Sequence, residues 1–309
     1  MPRRTGPPAG DENCAIAQAL DVVGDWWTLL IVRDIARGLC RFDTLHASLG
    51  LSRKVLAERL RLLTEAGVLA REPYQQRPPR FEYRLTPRGR ALLPTLVALQ
   101  DWGDTWLLGE GDPGMTPDTE RTTATTADGS REAERVHALL GTTLPPLALP
   151  GPAGTPVDPV AGTPFTVLYC FPGAYASRAS YPPGWADIPG ATGCTLESCT
   201  YRDQLAGFTA AGATVHGVST QRPDEQRAFA AKERLRFPLL SDADLALAAA
   251  LRLPTFRTVG TTRLKRLTLV TDADRVVRHV QYPVTDVTAS VEAALAAVRS
   301  MAGTSTTPS

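Results

Sequence analysis

Between Leu108 and Arg131 the chain loses the means to order itself. Residues 109–130 are dominated by Gly, Asp, Thr and Pro, and Met115 is the only large apolar side chain among them. A stretch that buries so little cannot offset the conformational entropy of folding, so it reads as a linker. At 309 residues the chain is long enough for two domains. The hydrophobic period also changes across the break. The expected organisation is a first domain over 12–108, a flexible linker over 109–133 and a second domain over 134–302.

The first part is helical, then hairpin-like. Ile16, Leu20, Val23, Trp27, Leu30 and Ile31 recur every three or four residues, one apolar stripe at helical period. Gly24 followed by Asp25 divides this stripe into two helices, with Asp25 as N-cap. A short helix follows over 42–49 and stops at Gly50. Ser52 caps the next helix, which runs to Gly67 and buries Leu56, Leu60 and Leu63. Residues 68–74 and 80–85 read as two strands around a turn at 75–79. In the second strand Phe81, Tyr83 and Leu85 alternate with Arg80, Glu82 and Arg84, giving a buried face and a charged one. Thr86-Pro87 opens a last helix that presents Leu92, Leu93, Leu96, Leu99, Trp102 and Trp106.

The second part alternates strands and helices. Strands are expected over 165–171, 214–219, 237–240, 267–271 and 276–282, with helices over 194–211, 224–235, 243–251 and 287–298. That order specifies an α/β sheet ending in an antiparallel hairpin that turns at 271–274.

Overall charge is close to balanced, with 33 basic and 32 acidic residues, but residues 51–90 hold ten basic side chains against four acids, a local +6. A helix, a tight turn, a second helix and a hairpin with a basic tip is the layout of a winged helix-turn-helix, whose second helix enters the DNA major groove. The candidate DNA contacts are Ser52, Arg53, Lys54, Arg59 and Arg61 on that helix, with Arg77 and Arg80 at the hairpin tip. On charge alone, an ordinary solvated face explains these side chains equally well. The runs 14–24, 27–34, 41–45, 52–60, 83–89 and 101–103 together resemble the HxlR family of bacterial transcriptional regulators. The resemblance implies a DNA-binding homodimer closed by the terminal helices, with Leu96, Leu99, Trp102 and Trp106 at the interface. It also implies a redox-sensing role for Cys14, which precedes the first helix.

Five cysteines in a chain with no signal-peptide-like start argue against a disulfide framework and for a cytosolic protein. Cys194 and Cys199 lie at the start of an expected helix, after the Gly-containing turn 189–193. A thiol in the first helical turn gains from the helix dipole, which favours the thiolate, the species that attacks peroxide. Five helical residues rise about 7.5 Å, more than the roughly 7 Å that a disulfide spans between Cα atoms. A Cys194–Cys199 bridge therefore requires the turn to unwind. Two buried structural thiols are the alternative that the same spacing leaves open, with the lower weight.

The run 193–203, Gly-Cys-Thr-Leu-Glu-Ser-Cys-Thr-Tyr-Arg-Asp, closely resembles the active-site segment of the bacterioferritin-comigratory (Q-type) peroxiredoxins. That resemblance covers about 139–298 and implies a thioredoxin-like fold. It further implies Cys194 as the peroxidatic and Cys199 as the resolving cysteine, and Arg266 as the arginine that holds the thiolate. Glu197 and Arg202 match the supporting charged pair. The family pattern places Thr or Ser three residues before the first cysteine and Pro four before that. Here those positions hold Ala191 and Asp187, with Thr192 as the nearest hydroxyl, and extra residues occupy 173–188. The expected whole is an α+β winged-helix domain followed by an α/β thioredoxin-like one. The partners it implies are duplex DNA, a peroxide, a thioredoxin-like reductant and a second copy of the chain, with no membrane. No cofactor or metal is expected; the four histidines, His46, His137, His216 and His279, and the buried Cys170 read as structural.

Overall fold

Two side-chain caps set the helices of the first unit. Asp25 accepts the Trp27 N–H and separates α1 (Ala15–Val23) from α2 (Trp26–Ala36). After α3 (Phe42–Leu49), which ends at Gly50 in the left-handed region, Ser52 accepts the Val55 N–H and opens α4 (Arg53–Glu65). Leu56, Leu60 and Leu63 are buried, as are Ile31, Val32 and Ile35 of α2 and Leu45 of α3, so the expected core face of α4 is the observed one. The hairpin pairs β1 (Leu69–Gln76) with β2 (Pro79–Leu85) in antiparallel register. Both strands run further than expected and the turn contracts to Arg77-Pro78. The apolar face of β2 is only half-buried, and on its other face Glu82 is half-buried too, paired with Arg41 and Arg84.

The structure, a computed structural model, describes residues 13–108, 124, 129–160, 162–258 and 260–304. Its chain contacts divide into two units, Met1–Ala98 and Leu99–Ser309. The single helix expected after Thr86 is two: α5 (Pro87–Arg90) and α6 (Leu93–Trp106). Thr86 caps α5 through the Gly89 N–H, and a Cβ on Gly89 would lie 2.2 Å from the Val68 carbonyl oxygen. The chain passes so close to β1 here that only glycine fits.

Most of the expected linker lies outside the described residues, but not its end. Residues 131–133 already belong to α7 (Arg131–His137), capped by Ser130. Ala124 is buried, and its N–H donates to the Pro189 carbonyl at 2.8 Å. After a two-residue ladder of β3 (Leu149–Pro150) with β4 (Pro156–Val157) comes β5 (Phe165–Cys170), buried at every position. It is followed by α8 (Cys194–Ala210), β6 (Ala213–Ser219), α9 (Pro223–Glu233), β7 (Leu239–Ser241) and α10 (Ala246–Leu251). A hairpin of β8 (Thr255–Thr258) and β9 (Thr261–Leu264), absent from the expected elements, precedes β10 (Leu267–Asp272), β11 (Val277–Gln281) and α11 (Val287–Thr304).

The main sheet runs β11-β10-β5-β6-β7; β5, β6 and β7 are parallel, and β10 and β11 antiparallel. Phe165, Val167 and Tyr169 of β5 face Tyr201 and Phe208 of α8 and Val291, Ala294 and Val298 of α11 in one core. Tyr169 stacks on Tyr201 with centroids 4.3 Å apart and donates to the Ser198 hydroxyl at 3.0 Å, which fixes the rotation of α8 on the sheet. Cys170 is fully buried, as its assignment to packing requires. No single helix among the described residues is long and apolar enough to cross a membrane.

Candidate functional site

Gly193 starts α8 with a φ of +95°, a conformation that side-chain-bearing residues avoid, and it turns the chain so that Cys194 becomes the first helical residue. Cys194 is 3% exposed. Its Sγ donates to the Ala191 carbonyl at 3.3 Å and accepts from Arg266 Nη2 at 3.3 Å. The same Nη2 donates to the Thr192 carbonyl at 3.0 Å, while Nη1 pairs with Glu197 one turn further along α8. Arg266 immediately precedes β10 and is itself buried. One guanidinium from a distant strand therefore bridges the thiol and a carboxylate on the first turn of a helix. Glu197 is fully buried, and its Oε1 has no hydrogen-bond partner among the described residues.

The charges settle against one another. Burial pushes the Cys194 thiol up; Arg266 pulls it down, and the Glu197 charge sides with burial. The net direction is upward, which corrects the expectation that the helix start alone would favour the thiolate. Burial likewise pushes Glu197 up to about 7, with Arg266 opposing. Burial works against the Arg266 charge too, but its two anionic neighbours outweigh that and hold it protonated.

The remaining thiol-site residues depart from expectation in their pairing. Arg202 does not meet Glu197; it pairs with Asp203 at 2.8 Å and donates to the Glu233 carbonyl at 2.7 Å and to Cys199 Sγ at 3.5 Å. Cys199 is half-buried, and its Sγ faces Glu233 Oε2 at 3.6 Å. Burial raises its thiol and Arg202 opposes. Both cysteines are free thiols with separate partners on one helix. Thr192 is exposed and contributes its carbonyl, not its hydroxyl, to Arg266. Ala191, at the position where a hydroxyl was expected, is fully buried.

Residues 173–188 build a wall that the sequence did not reveal. A cavity of about 410 Å³ lies against Cys194, lined by Tyr181, Pro182, Trp185 and Ala191, with Arg178 and Asp187 among its polar groups. Tyr175 and Tyr181 meet edge to face at 4.8 Å, and Tyr175 and Trp185 at 6.3 Å. Arg263 of β9 donates to the Tyr175 hydroxyl at 2.8 Å, and Gln221 clasps both backbone groups of Ala174 at 2.8 Å. Three aromatic residues within eleven positions were the only signal in the sequence.

On the basic face, side chains divide into committed and open. Arg59 pairs with Asp25 at 2.9 Å, holding the α2 cap. Arg61 is gripped by Glu58 at 2.7 Å and Glu65 at 2.5 Å along its own helix. Arg53 pairs with Asp43 at 3.1 Å and lies over Phe42. Ser52 is occupied by its cap. The side chains of Lys54, Arg77 and Arg80 are exposed, with no ion-pair or hydrogen-bond partner among the described residues. Cys14 sits half-buried at the N-cap of α1 and makes no capping bond. His216 is buried on the Pro159 carbonyl at 2.8 Å, and no metal-binding group of three ligands occurs among the described residues.

The description "HxlR-like helix-turn-helix" matches residues 22–110. An uncharacterized HTH-type transcriptional regulator of Mycobacterium tuberculosis is 46% identical over 96 residues, which is 31% of this chain and 61% of that protein. YvaP of Bacillus subtilis, another uncharacterized HTH-type transcriptional regulator, is 38% identical over 91 residues, 29% of this chain and 84% of that protein. The first part of the chain belongs to the HxlR-like helix-turn-helix family. The AhpC/TSA family matches residues 188–280, so the HxlR-like domain is followed by an AhpC/TSA domain of the peroxiredoxin kind. The crystal structure of peroxidoxin BcpB from Mycobacterium tuberculosis is similar to 52% of this chain and 97% of its own, at 31% identity and a TM-score of 0.44. The chain thus spans about three-fifths of the mycobacterial regulator's length.

Proposed function

We propose that this fusion is a redox-responsive transcription regulator whose AhpC/TSA domain reduces or senses peroxides through Cys194 and Cys199. The observation that carries the reading is the Arg266 guanidinium 3.3 Å from Cys194 Sγ at the start of α8. Arg266 offers its charge to two anions, and Glu197 competes with the sulfur for it. When Glu197 is protonated, the guanidinium turns wholly to the sulfur and favours the thiolate; burial, which pushes that carboxyl up to about 7, works in this direction. The thiolate then attacks the terminal peroxide oxygen, the O–O bond breaks, and the departing oxygen takes a proton and leaves as alcohol or water; the sulfenic acid condenses with the Cys199 thiol to a disulfide with loss of water. Because the sulfurs lie on one helix with different partners, resolution requires the first turns of α8 to unwind. A dithiol donor of the thioredoxin kind restores both thiols.

The HxlR-like domain supplies the DNA end of the response. Lys54, Arg77 and Arg80 are its open cations; Arg53, Arg59 and Arg61 would reach DNA only by leaving acidic partners. The exposed apolar residues Leu99, Trp102 and Trp106 on α6 suit a homodimer face. Cys14 is a second candidate redox site. The test is a gel shift on the DNA flanking the protein's own gene, with reduced and peroxide-treated protein. Wild type changes operator affinity on oxidation and Cys194→Ser does not; an affinity and salt dependence that oxidation leaves unchanged contradict the regulatory reading.

A further inference from the structure

The wall built by residues 173–188 is larger and more aromatic than a small peroxide needs. Its cavity of about 410 Å³ falls in the size range of small-molecule sites, whereas a peroxide of two oxygens fills little more than a water or two at about 30 Å³ each. Tyr181, Pro182 and Trp185 give one side of it an apolar surface. That surface is held in place from behind. Trp185 is 5% exposed and packed with Ile188, Ala191 and Phe256, and Arg263 lies 5.9 Å from its ring centroid. Gln221 fixes the entry of the segment and Gly193 its exit. The polar groups around the cavity include one cation, Arg178, and one anion, Asp187, both exposed, so the pair gives no preference for a charged ligand.

We infer that Tyr181 and Trp185 determine specificity, and that the site favours a neutral hydroperoxide with a bulky aromatic body over hydrogen peroxide. The inference rests on the peroxidase reading of Cys194. The aromatic body packs against Tyr181 and Trp185 while the hydroperoxide group points at Cys194, at the base of the same cavity. The sulfur of the Cys194 thiolate forms a bond to the terminal oxygen and the O–O bond breaks. The proton of the transferred hydroxyl passes through solvent to the alkoxide, which leaves as the alcohol, so the thiolate and ROOH become sulfenate and ROH. No further oxidant enters the step.

The experiment uses the full chain carrying Cys199→Ser, so that the first oxidation is read alone. Sulfenate formation at Cys194 is timed by dimedone trapping and mass spectrometry with cumene hydroperoxide and with hydrogen peroxide. The expected result is faster oxidation by cumene hydroperoxide. In Tyr181→Ala the ratio of the cumene hydroperoxide rate to the hydrogen peroxide rate falls about tenfold, the scale of losing one good apolar contact. A second measurement needs no change to the wall. Cumyl alcohol, the unreactive product, slows oxidation by both peroxides if it occupies the cavity, and has no effect if it does not. Equal rates with the two peroxides, or cumyl alcohol without effect, overturn the specificity inference and leave the peroxidase reading standing. Failure of both peroxides to oxidise Cys194 overturns the peroxidase reading itself, and the specificity inference falls with it.

Discussion

Replacing Glu197 by Gln removes a charge from the thiol site while keeping its shape. Arg266 Nη2 lies 3.3 Å from Cys194 Sγ and its other arm holds Glu197, so sulfur and carboxylate compete for one cation. Two like charges held on the two arms of one guanidinium, at a separation on the order of 5 Å and an effective dielectric of about 20, repel by about 3 kcal/mol, which sets the scale on which ionised Glu197 opposes the thiolate. That corresponds to roughly two pKa units on the thiol. The carboxyl is held at about 7, so it is ionised throughout the range in which the raised Cys194 thiol titrates, and the full effect is felt there. Glu197→Gln is therefore expected to lower the Cys194 pKa by about two units. The assay is the pH dependence of iodoacetamide alkylation at Cys194 in a Cys199→Ser background, with folding checked by circular dichroism. Below about pH 6 the Gln variant and its parent converge, since Glu197 is already protonated there. A Cys194 pKa that stays put or rises in the variant refutes the shared-guanidinium account.

Lys54→Ala, Arg77→Ala and Arg80→Ala should each flatten the dependence of log affinity on log salt by about one unit, whereas Arg61→Ala, already engaged by Glu58 and Glu65, should leave it unchanged; titrations at several salt concentrations decide this. Gly89→Ala drives a methyl into the Val68 carbonyl and should destabilise the HxlR-like domain by more than about 2 kcal/mol in urea unfolding. Glu197 and Asp242 are both pushed up to about 7 by burial, so the folded AhpC/TSA domain holds protons that the unfolded chain releases near pH 4. Its stability should fall as pH rises from about 4 to about 7, by up to about 3 kcal/mol for Glu197 and about 4 kcal/mol for Asp242, and then level off. Asp242→Asn should remove its share of that slope, and an unchanged slope would show that Asp242 is not buried as a proton-holding acid.

Elements with their own local signals were legible in the sequence. Asp25, Ser52 and Thr86 announce helix starts, Gly50 and Gly67 announce ends, and the buried Leu56, Leu60 and Leu63 follow from period alone. Cys194 and Arg266 are 72 positions apart, and only the family resemblance joined them. What escaped depends on distant atoms. Nothing local to Gly89 says that the Val68 carbonyl will press against it, or that the last helix must break there. The partner of Glu197 is chosen by the sheet, which brings Arg266 beneath α8, and not by the nearer Arg202, which the same helix turns toward Glu233. Arg59 and Arg61 read as DNA contacts because sequence counts charges and does not show which carboxylates answer them. The aromatic wall over 173–188 has no period, since its residues serve a cavity and not a strand or helix face.

The most direct test is peroxide consumption by reduced protein in the presence of thioredoxin and its reductase, wild type against Cys194→Ser. Wild type should consume peroxide catalytically and Cys194→Ser should consume none above background. Equal consumption by the two proteins would place the chemistry elsewhere and contradict the role given to the sulfur beside Arg266.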